Sequence, residues 1–221
     1  MARLARVILP GYPHHITQRG NRRQDVFFKD EDYLYYLELL KHWCSEEKLE
    51  IWSYCLMTNH VHLIVTPRKS TNLSRAIGET HRRYTRMINF RENWRGYLWQ
   101  GRFASFPMDK SHLLKAAAYV ELNPVKAKMV EKPEDYRWSS VHAHLSGTDP
   151  LGIIDPKKML DICGDWKQYL RQSVKEPDDE FIRHASTGRP LGSEGFIRKV
   201  EKRLNRDLQK KKPGPKVSQN K

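Results

Sequence analysis

Two strand-length runs, Ile51 to Met57 and His60 to Thr66, flank the short turn Thr58-Asn59, and a β-hairpin is the simplest structure they can form. Within the second run His60 and His62 alternate with Val61, Leu63 and Val65. The period of two sends the aliphatic side chains to one face and both imidazoles to the other. Before the hairpin, residues 30 to 48 carry Tyr33, Leu37, Leu40 and Cys44 at helical spacing, with Asp30 as the expected cap. After it, residues 72 to 90 place Leu73, Ile77, His81 and Tyr84 on one side of a helix and Arg75, Arg82, Arg83 and Arg86 elsewhere. Residues 13 to 19 read as a first strand closed by Gly20-Asn21, and Leu98 to Met108 as a last one carrying Trp99-Gln100-Gly101-Arg102-Phe103. Ser111 is expected to cap a third helix running to Asn123, where Pro124 forces a kink or restart. The order strand, helix, strand, strand, helix, strand, helix predicts a ferredoxin-like α+β sandwich, an antiparallel sheet with helices on one face.

At 221 residues and 38% hydrophobic content, the chain can bury one good core with an appendage. The expected division is a domain over 1–145 and a basic C-terminal extension over 146–221, with an amphipathic helix and a disordered tail. A formal charge of +14 implies a polyanionic partner, with nucleic acid the leading candidate. The most apolar stretch, Val61 to Val65, is strand-length and holds a histidine, so no membrane span is expected. The opening apolar stretch is too short for a signal peptide and ends at Pro10, which predicts a cytoplasmic protein, and a nucleic-acid partner would make it nucleoid-associated. Cys44, Cys55 and Cys163 are widely spaced with no C-x-x-C pattern, and read as reduced thiols.

His-x-His alone is a weak signal in a chain with ten histidines, and His142-Ala143-His144 is a second example. That second pair falls in a helical stretch, where positions i and i+2 diverge by about 200°. A third histidine at position 64, as a histidine-triad hydrolase needs, is replaced by Ile64, and H-E-x-x-H is absent. His14 and His15 read as strand residues or DNA contacts rather than ligands. Tyr119 and Asn123 fall on one face of the third helix after the small run Ala116-Ala117-Ala118. Spacing leaves two readings of them open: a phenol and an amide presented to a site, or a tyrosine packed on the sheet with Asn123 capping a helix that begins at Pro124.

Three motifs in this order, Thr58-Asn59-His60-Val61-His62-Leu63, Trp99-Gln100-Gly101-Arg102-Phe103 and Tyr119-Val120-Glu121-Leu122-Asn123-Pro124-Val125, resemble the single-tyrosine HUH transposases of bacterial insertion sequences. Tyr136-Arg137-Trp138-Ser139-Ser140 and Thr187-Gly188-Arg189-Pro190-Leu191-Gly192 are similar to the branch associated with repetitive extragenic palindromes (REPs), the REP-associated tyrosine transposases. The resemblance implies that His60 and His62 are metal ligands, that Asn123 supplies the third ligand, and that Tyr119 is the nucleophile. Insertion-sequence relatives often have glutamine at that third position, so the asparagine has a shorter reach. An open site of two imidazoles and an amide suits Mg2+ or Mn2+, and the resemblance, not the ligand set, tips the choice away from zinc. The implied reaction cuts and rejoins single-stranded DNA at a REP-type hairpin through a 5′-phosphotyrosine, and the link conserves the bond energy for rejoining. The insertion-sequence relatives act as dimers with the tyrosine helix exchanged, and the sequence leaves homodimer or monomer undecided.

Substrate contacts are expected from Arg19, Arg22 and Arg23, which the resemblance places at the foot of the hairpin, and from Arg82, Arg83, Arg86 and Arg102 on phosphates. Trp99 and Phe103 are either core or stacking residues. Residues 196–221 hold ten Lys or Arg against Glu201 and Asp207. Phe196, Val200, Leu204 and Leu208 recur there every four residues, as in a short amphipathic helix after Ser193. Lys210, Lys211 and Lys212 follow in a segment expected to settle on DNA. The alternative function is a catalytically silent, sequence-specific DNA-binding protein of the same fold.

Overall fold

The computed structural model describes residues 5–174 and 179–208. Four antiparallel strands form one sheet: β1 (His14–Arg19), β2 (Leu49–Met57), β3 (His60–Pro67) and β4 (Ala104–Pro107), in spatial order β2-β3-β1-β4. Helix α1 (Asp30–Glu46) joins β1 to β2, and α2 (Ser70–Arg91) joins β3 to β4. After β4 come α3 (Leu113–Lys126), α4 (Val141–Ser146), α5 (Pro156–Cys163), α6 (Trp166–Ser173), α7 (Asp179–Thr187) and α8 (Glu194–Leu204). This is the ferredoxin-like α+β arrangement that the element order predicts, extended by helices. Among the described residues no helix is long and apolar enough to cross a membrane.

The β1–β3 register sets which residues share a face. His15 lies opposite Ile64, Thr17 opposite His62 and Arg19 opposite His60, so these six side chains point the same way. Val61, Leu63, Val65 and Ile16 point the other way and have no solvent exposure. The paired helices α1 and α2 pack against β2 and β3 and bury that aliphatic face. Their apolar stripes are those expected from the spacing: Tyr33, Leu37, Leu40 and Cys44 on α1, and Leu73, Ile77, His81 and Tyr84 on α2, are all buried. Helix α3 lies over β2 and β3 on the histidine face, where Glu121 reaches Ser53 of β2.

Four local expectations are corrected. The last strand is only Ala104–Pro107, because Trp99 to Phe103 forms a loop whose Trp99 bridges Gly20 and whose Gln100 amide donates to the Arg19 carbonyl. Trp99 and Phe103 are buried, so their bulk is core packing and not an exposed stack. Helix α1 is capped from inside its first turn, with Asp32 accepting from the Phe28 and Lys29 amides while Asp30 is already helical. Asp109, rather than Ser111, accepts from the His112 amide ahead of α3, and α3 passes through Pro124 to Lys126. Pro124 is tolerated because it lies within the last turn, where only one backbone bond is lost.

The Thr187 to Gly192 motif covers the exposed edge of the sheet. Leu191 donates to the Pro107 carbonyl and accepts from the Asp109 amide, forming a parallel bridge with Met108. Gly192 is required there: a Cβ would stand 2.6 Å from an Asp109 carboxylate oxygen at a backbone φ of +159°. Ser193 caps α8, whose Phe196 and Val200 bury against Val7 and Leu9. Lys210, Lys211 and Lys212 lie outside the described residues.

A second buried device ties α3 to its surroundings. Glu121 has no solvent exposure and accepts from Ser140 (2.5 Å), His144 Nδ1 (2.7 Å) and Trp166 Nε1 (2.8 Å). One carboxylate thereby joins α3 to α4, α6 and the segment before α4. His144 belongs to this network and His142 is exposed, so the second His-x-His pair does not form a shared site. Removing one partner of such a buried cluster costs about 3–5 kcal/mol. Urea denaturation of Glu121→Ala should show a loss of that order, whereas Lys158→Ala, which breaks an exposed pair with Glu50, should cost under about 1 kcal/mol.

Buried neutral histidines make the fold acid-sensitive. His14 donates from Nδ1 to the Tyr12 carbonyl and accepts the Leu9 amide at Nε2, so protonation would turn an acceptor against a donor. Burial lowers His14 to about 4 and His81 to about 3, from 6.5. Below 6.5 the unfolded chain therefore binds protons that the folded chain refuses, and stability falls as pH drops from 6.5 towards 4. Thermal unfolding midpoints should be nearly flat from pH 8 to 7 and fall steeply below 6.5; a flat profile down to pH 4.5 would contradict this assignment.

Candidate active site

His60 and His62 lie on the face of β3 that α3 covers, with ring centroids 4.9 Å apart. The Tyr119 ring meets His62 edge-on at 5.6 Å and His15 at 5.5 Å, bringing together residues 57 positions apart in sequence. Tyr119, Asn123 and Lys126 share one face of α3 by their i, i+4, i+7 spacing. The Lys126 ammonium is 6.0 Å from the centre of the phenol ring. From α7, Phe181 stacks on the other side of Tyr119 at 4.9 Å, leaving the tyrosine 9% exposed. Helix α7 therefore forms part of the wall around the phenol.

The hydrogen bonds of the site orient its nitrogens and oxygens. Asn59 donates through Nδ2 to the Arg23 carbonyl, which directs its Oδ1 to His60 Nδ1 at 2.6 Å. An amide oxygen only accepts, so His60 carries its proton on Nδ1 and keeps a lone pair on Nε2. His62 Nδ1 lies 3.0 Å from His15 Nε2, with the two rings nearly coplanar, edge to edge. If His62 donates in that contact, its Nε2 lone pair is also available, and the proton of His15 falls on Nδ1, a buried atom with no partner among the described residues. Asn123 donates from Nδ2 to the Tyr119 carbonyl at 2.8 Å, which leaves Oδ1 as its outward acceptor. Asn123 is thus inside the helix and does not cap one beginning at Pro124.

Protonation states favour the same use. Burial, with the positive charge of Arg19, lowers His60 to about 4. His62 is held well below 6.5 by burial and by its neighbours His60, His15 and Arg19, and burial lowers His15 to about 3. All three are neutral near pH 7, the state a metal ligand requires. Two imidazoles and an amide oxygen fit a cation that retains waters. Among the described residues no group of three His, Cys, Asp or Glu side chains is placed to hold a metal, so the amide of Asn123 is the added ligand to be considered.

The remaining candidates separate into two regions. Arg19 pairs with His60 across the strands and stands at the site. Arg22 and Arg23 lie exposed on the following turn in left-handed backbone, φ 53° and 62°. That turn is held to the β2–β3 connection by Gly20 donating to the Asn59 carbonyl and Asn59 donating to Arg23. Arg82, Arg83 and Arg86 belong to α2, on the opposite side of the sheet from α3, and Arg102 is exposed in the loop before β4. Sequence reasoning missed Asn59, His15, Phe181 and Lys126. Asn59 was within reach of it, standing next to His60; the others needed the strand register or the tertiary packing of α7. His14 and His15 are buried, so neither is a DNA contact in this arrangement.

The chain is similar to proteins already described. A Haemophilus influenzae protein assigned as a REP-associated tyrosine transposase is 28% identical over 113 residues, 46% of this chain and 64% of the relative. The chain thus spans under two thirds of that relative's length. A solved structure described as a REP-associated tyrosine transposase bound to a REP hairpin superposes with a TM-score of 0.58 at 21% identity, over 68% of this chain and 90% of the other, and shares the fold. The profile of the family described as "Transposase IS200 like" matches residues 11–123, a little over half of the sequence. By that match the chain belongs to the family of IS200-like transposases.

Proposed function

We propose that this chain is a metal-dependent single-stranded DNA endonuclease and strand transferase that acts on REP-type hairpins through a 5′-phosphotyrosine on Tyr119. The observation that carries the reading is the contact of Tyr119 with the His60–His62 face of β3 within one chain. The similar fold of a transposase described as bound to a REP hairpin supports the choice of DNA form.

In this reading His60 Nε2, His62 Nε2 and Asn123 Oδ1 hold Mg2+ or Mn2+. The cation supplies Lewis-acid polarisation of the scissile phosphate. Tyr119 attacks phosphorus, the bond to the 3′ oxygen breaks, and the strand leaves with a free 3′-hydroxyl while the 5′-phosphate stays on the phenol oxygen. A 3′-hydroxyl attacking that phosphotyrosine reverses the step and rejoins the strand. Lys126 and Arg19 place positive charge at the two ends of the site. Asn59 and His15 orient the imidazoles, and Arg22 and Arg23 meet the foot of the hairpin from a turn fixed to the same Asn59. Arg82, Arg83, Arg86 and Arg102 contact phosphates further out.

Incubating the protein and Mg2+ or Mn2+ with a labelled single-stranded hairpin from the flanks of its own gene should give a covalent adduct that survives denaturation. Tyr119→Phe should abolish the adduct and leave hairpin affinity within about twofold. Tight hairpin binding with no adduct in either metal would support a silent DNA-binding protein instead. A separate test is Asn59→Ala, which should weaken Mn2+ binding by about 10- to 100-fold, the usual effect of losing a ligand's orienting partner. Electron paramagnetic resonance titration of free Mn2+ reads this directly, and an unchanged affinity would remove Asn59 from the site.

A further inference from the structure

Aromatic residues are nearly all inside this protein, and the exceptions are not scattered. Of 23 Phe, Tyr and Trp residues, only Phe28, Phe90, Trp94 and Tyr97 are exposed. All four belong to the segment ahead of α1 or to the end of α2 and the loop after it. Phe90 is 90% exposed and Tyr97 85%. Phe28 and Trp94 meet edge to face at 5.7 Å, and the Arg91 guanidinium lies 5.8 Å from the Phe28 ring.

The loop that displays them is held in shape. The Trp94 amide donates to the Asn89 carbonyl at 2.8 Å, and Asn89 Nδ2 donates to the Gly96 carbonyl at 3.0 Å. Arg91 is ion-paired to Asp32 and Glu92. Arginines line the approach on one side, where Arg82 and Arg83 share the carboxylate of Glu79. A cleft of about 480 Å3, lined by Tyr35, Arg82, Arg83, Arg86, Met87 and Phe90, runs along α2 to the first of them. At the far end the Asn21 amide donates to the carbonyl of Leu98, next to Tyr97, and so places the Arg22-Arg23 turn beside the loop. Exposed π-faces on an ordered loop between arginines match unpaired bases on a phosphate chain.

We propose that Phe90, Trp94, Tyr97 and Phe28 form a stacking platform for an unpaired DNA segment, which enters along the α2 arginine cleft and continues to the Arg22-Arg23 turn. This rests on the DNA-processing reading above and adds a binding subsite on the α2 side of the sheet, apart from the Tyr119 site. Base stacking tolerates sequence, so the platform would grip single-stranded flanks of any composition while the hairpin is recognised elsewhere.

The test compares fluorescein-labelled (dT)15 with a blunt hairpin lacking flanks, by anisotropy, for the wild-type chain and Phe90→Ser/Tyr97→Ser. Loss of stacking on two bases should weaken (dT)15 at least about tenfold and leave the blunt hairpin within twofold. Quenching of tryptophan fluorescence by (dT)15 should be reduced in Trp94→Phe. Equal (dT)15 affinity in wild type and double variant overturns the platform. Wild-type binding to the hairpin but not to (dT)15 overturns it while leaving the DNA reading intact, and binding to neither overturns both. If the wild type self-associates and the double variant does not, with DNA affinity unchanged, the face joins copies of the chain and the proposal fails. Both substituted side chains are largely exposed, so thermal unfolding should be unchanged.

Discussion

The antiparallel pairing of β1 with β3 is the constraint on which the rest depends. In its register His15 lies diagonal to His62 and Arg19 lies opposite His60. A slip of one residue would turn every side chain of β1 to the other face, placing Ile16 among the imidazoles and His15 in the aliphatic core. The register is secured because Ile16, Val61, Leu63 and Val65 are all fully buried under α1 and α2. The apolar face thus fixes the polar one, and burial of the polar one keeps its histidines neutral.

Placing Tyr119 is a separate problem, solved by α3 and the helices after it. The Glu121 carboxylate, two residues from the tyrosine, is satisfied by groups from α4, α6 and the segment before α4. Phe181 of α7 then stacks on the phenol, while Leu191 and Gly192 hold the chain after α7 along β4. Residues beyond 145 are consequently part of how the site is built. A change in α6 or α7 would be expected to reach Tyr119 through packing alone.

Much of this was legible in the sequence. The hairpin around Thr58-Asn59, the stripes of α1 and α2, and the alternation of His60 and His62 follow from period, and each is observed. Local chemistry that depends on tertiary context was less legible. Asp32 displaced Asp30 as the helix anchor because it reaches amides of the incoming chain, and Trp99 to Phe103 left the sheet because its aromatics turn into the core. His15 looked like an ordinary strand residue since its partner is 47 positions away. Pro124 suggested a break, yet proximity to the end of α3 makes it harmless.

Tyr119 contacts the histidine face of its own chain, so in the proposed reaction it serves that chain's His60 and His62. Mixing His60→Ala with Tyr119→Phe protein tests this, with the wild-type chain as the active reference and covalent hairpin adduct as the readout. Each variant retains the half that the other lacks. If the site is assembled within a chain, the mixture forms no more adduct than either variant alone. Adduct returning towards a quarter or more of the wild-type yield would mean that the tyrosine helix is exchanged between chains, and would contradict the arrangement described.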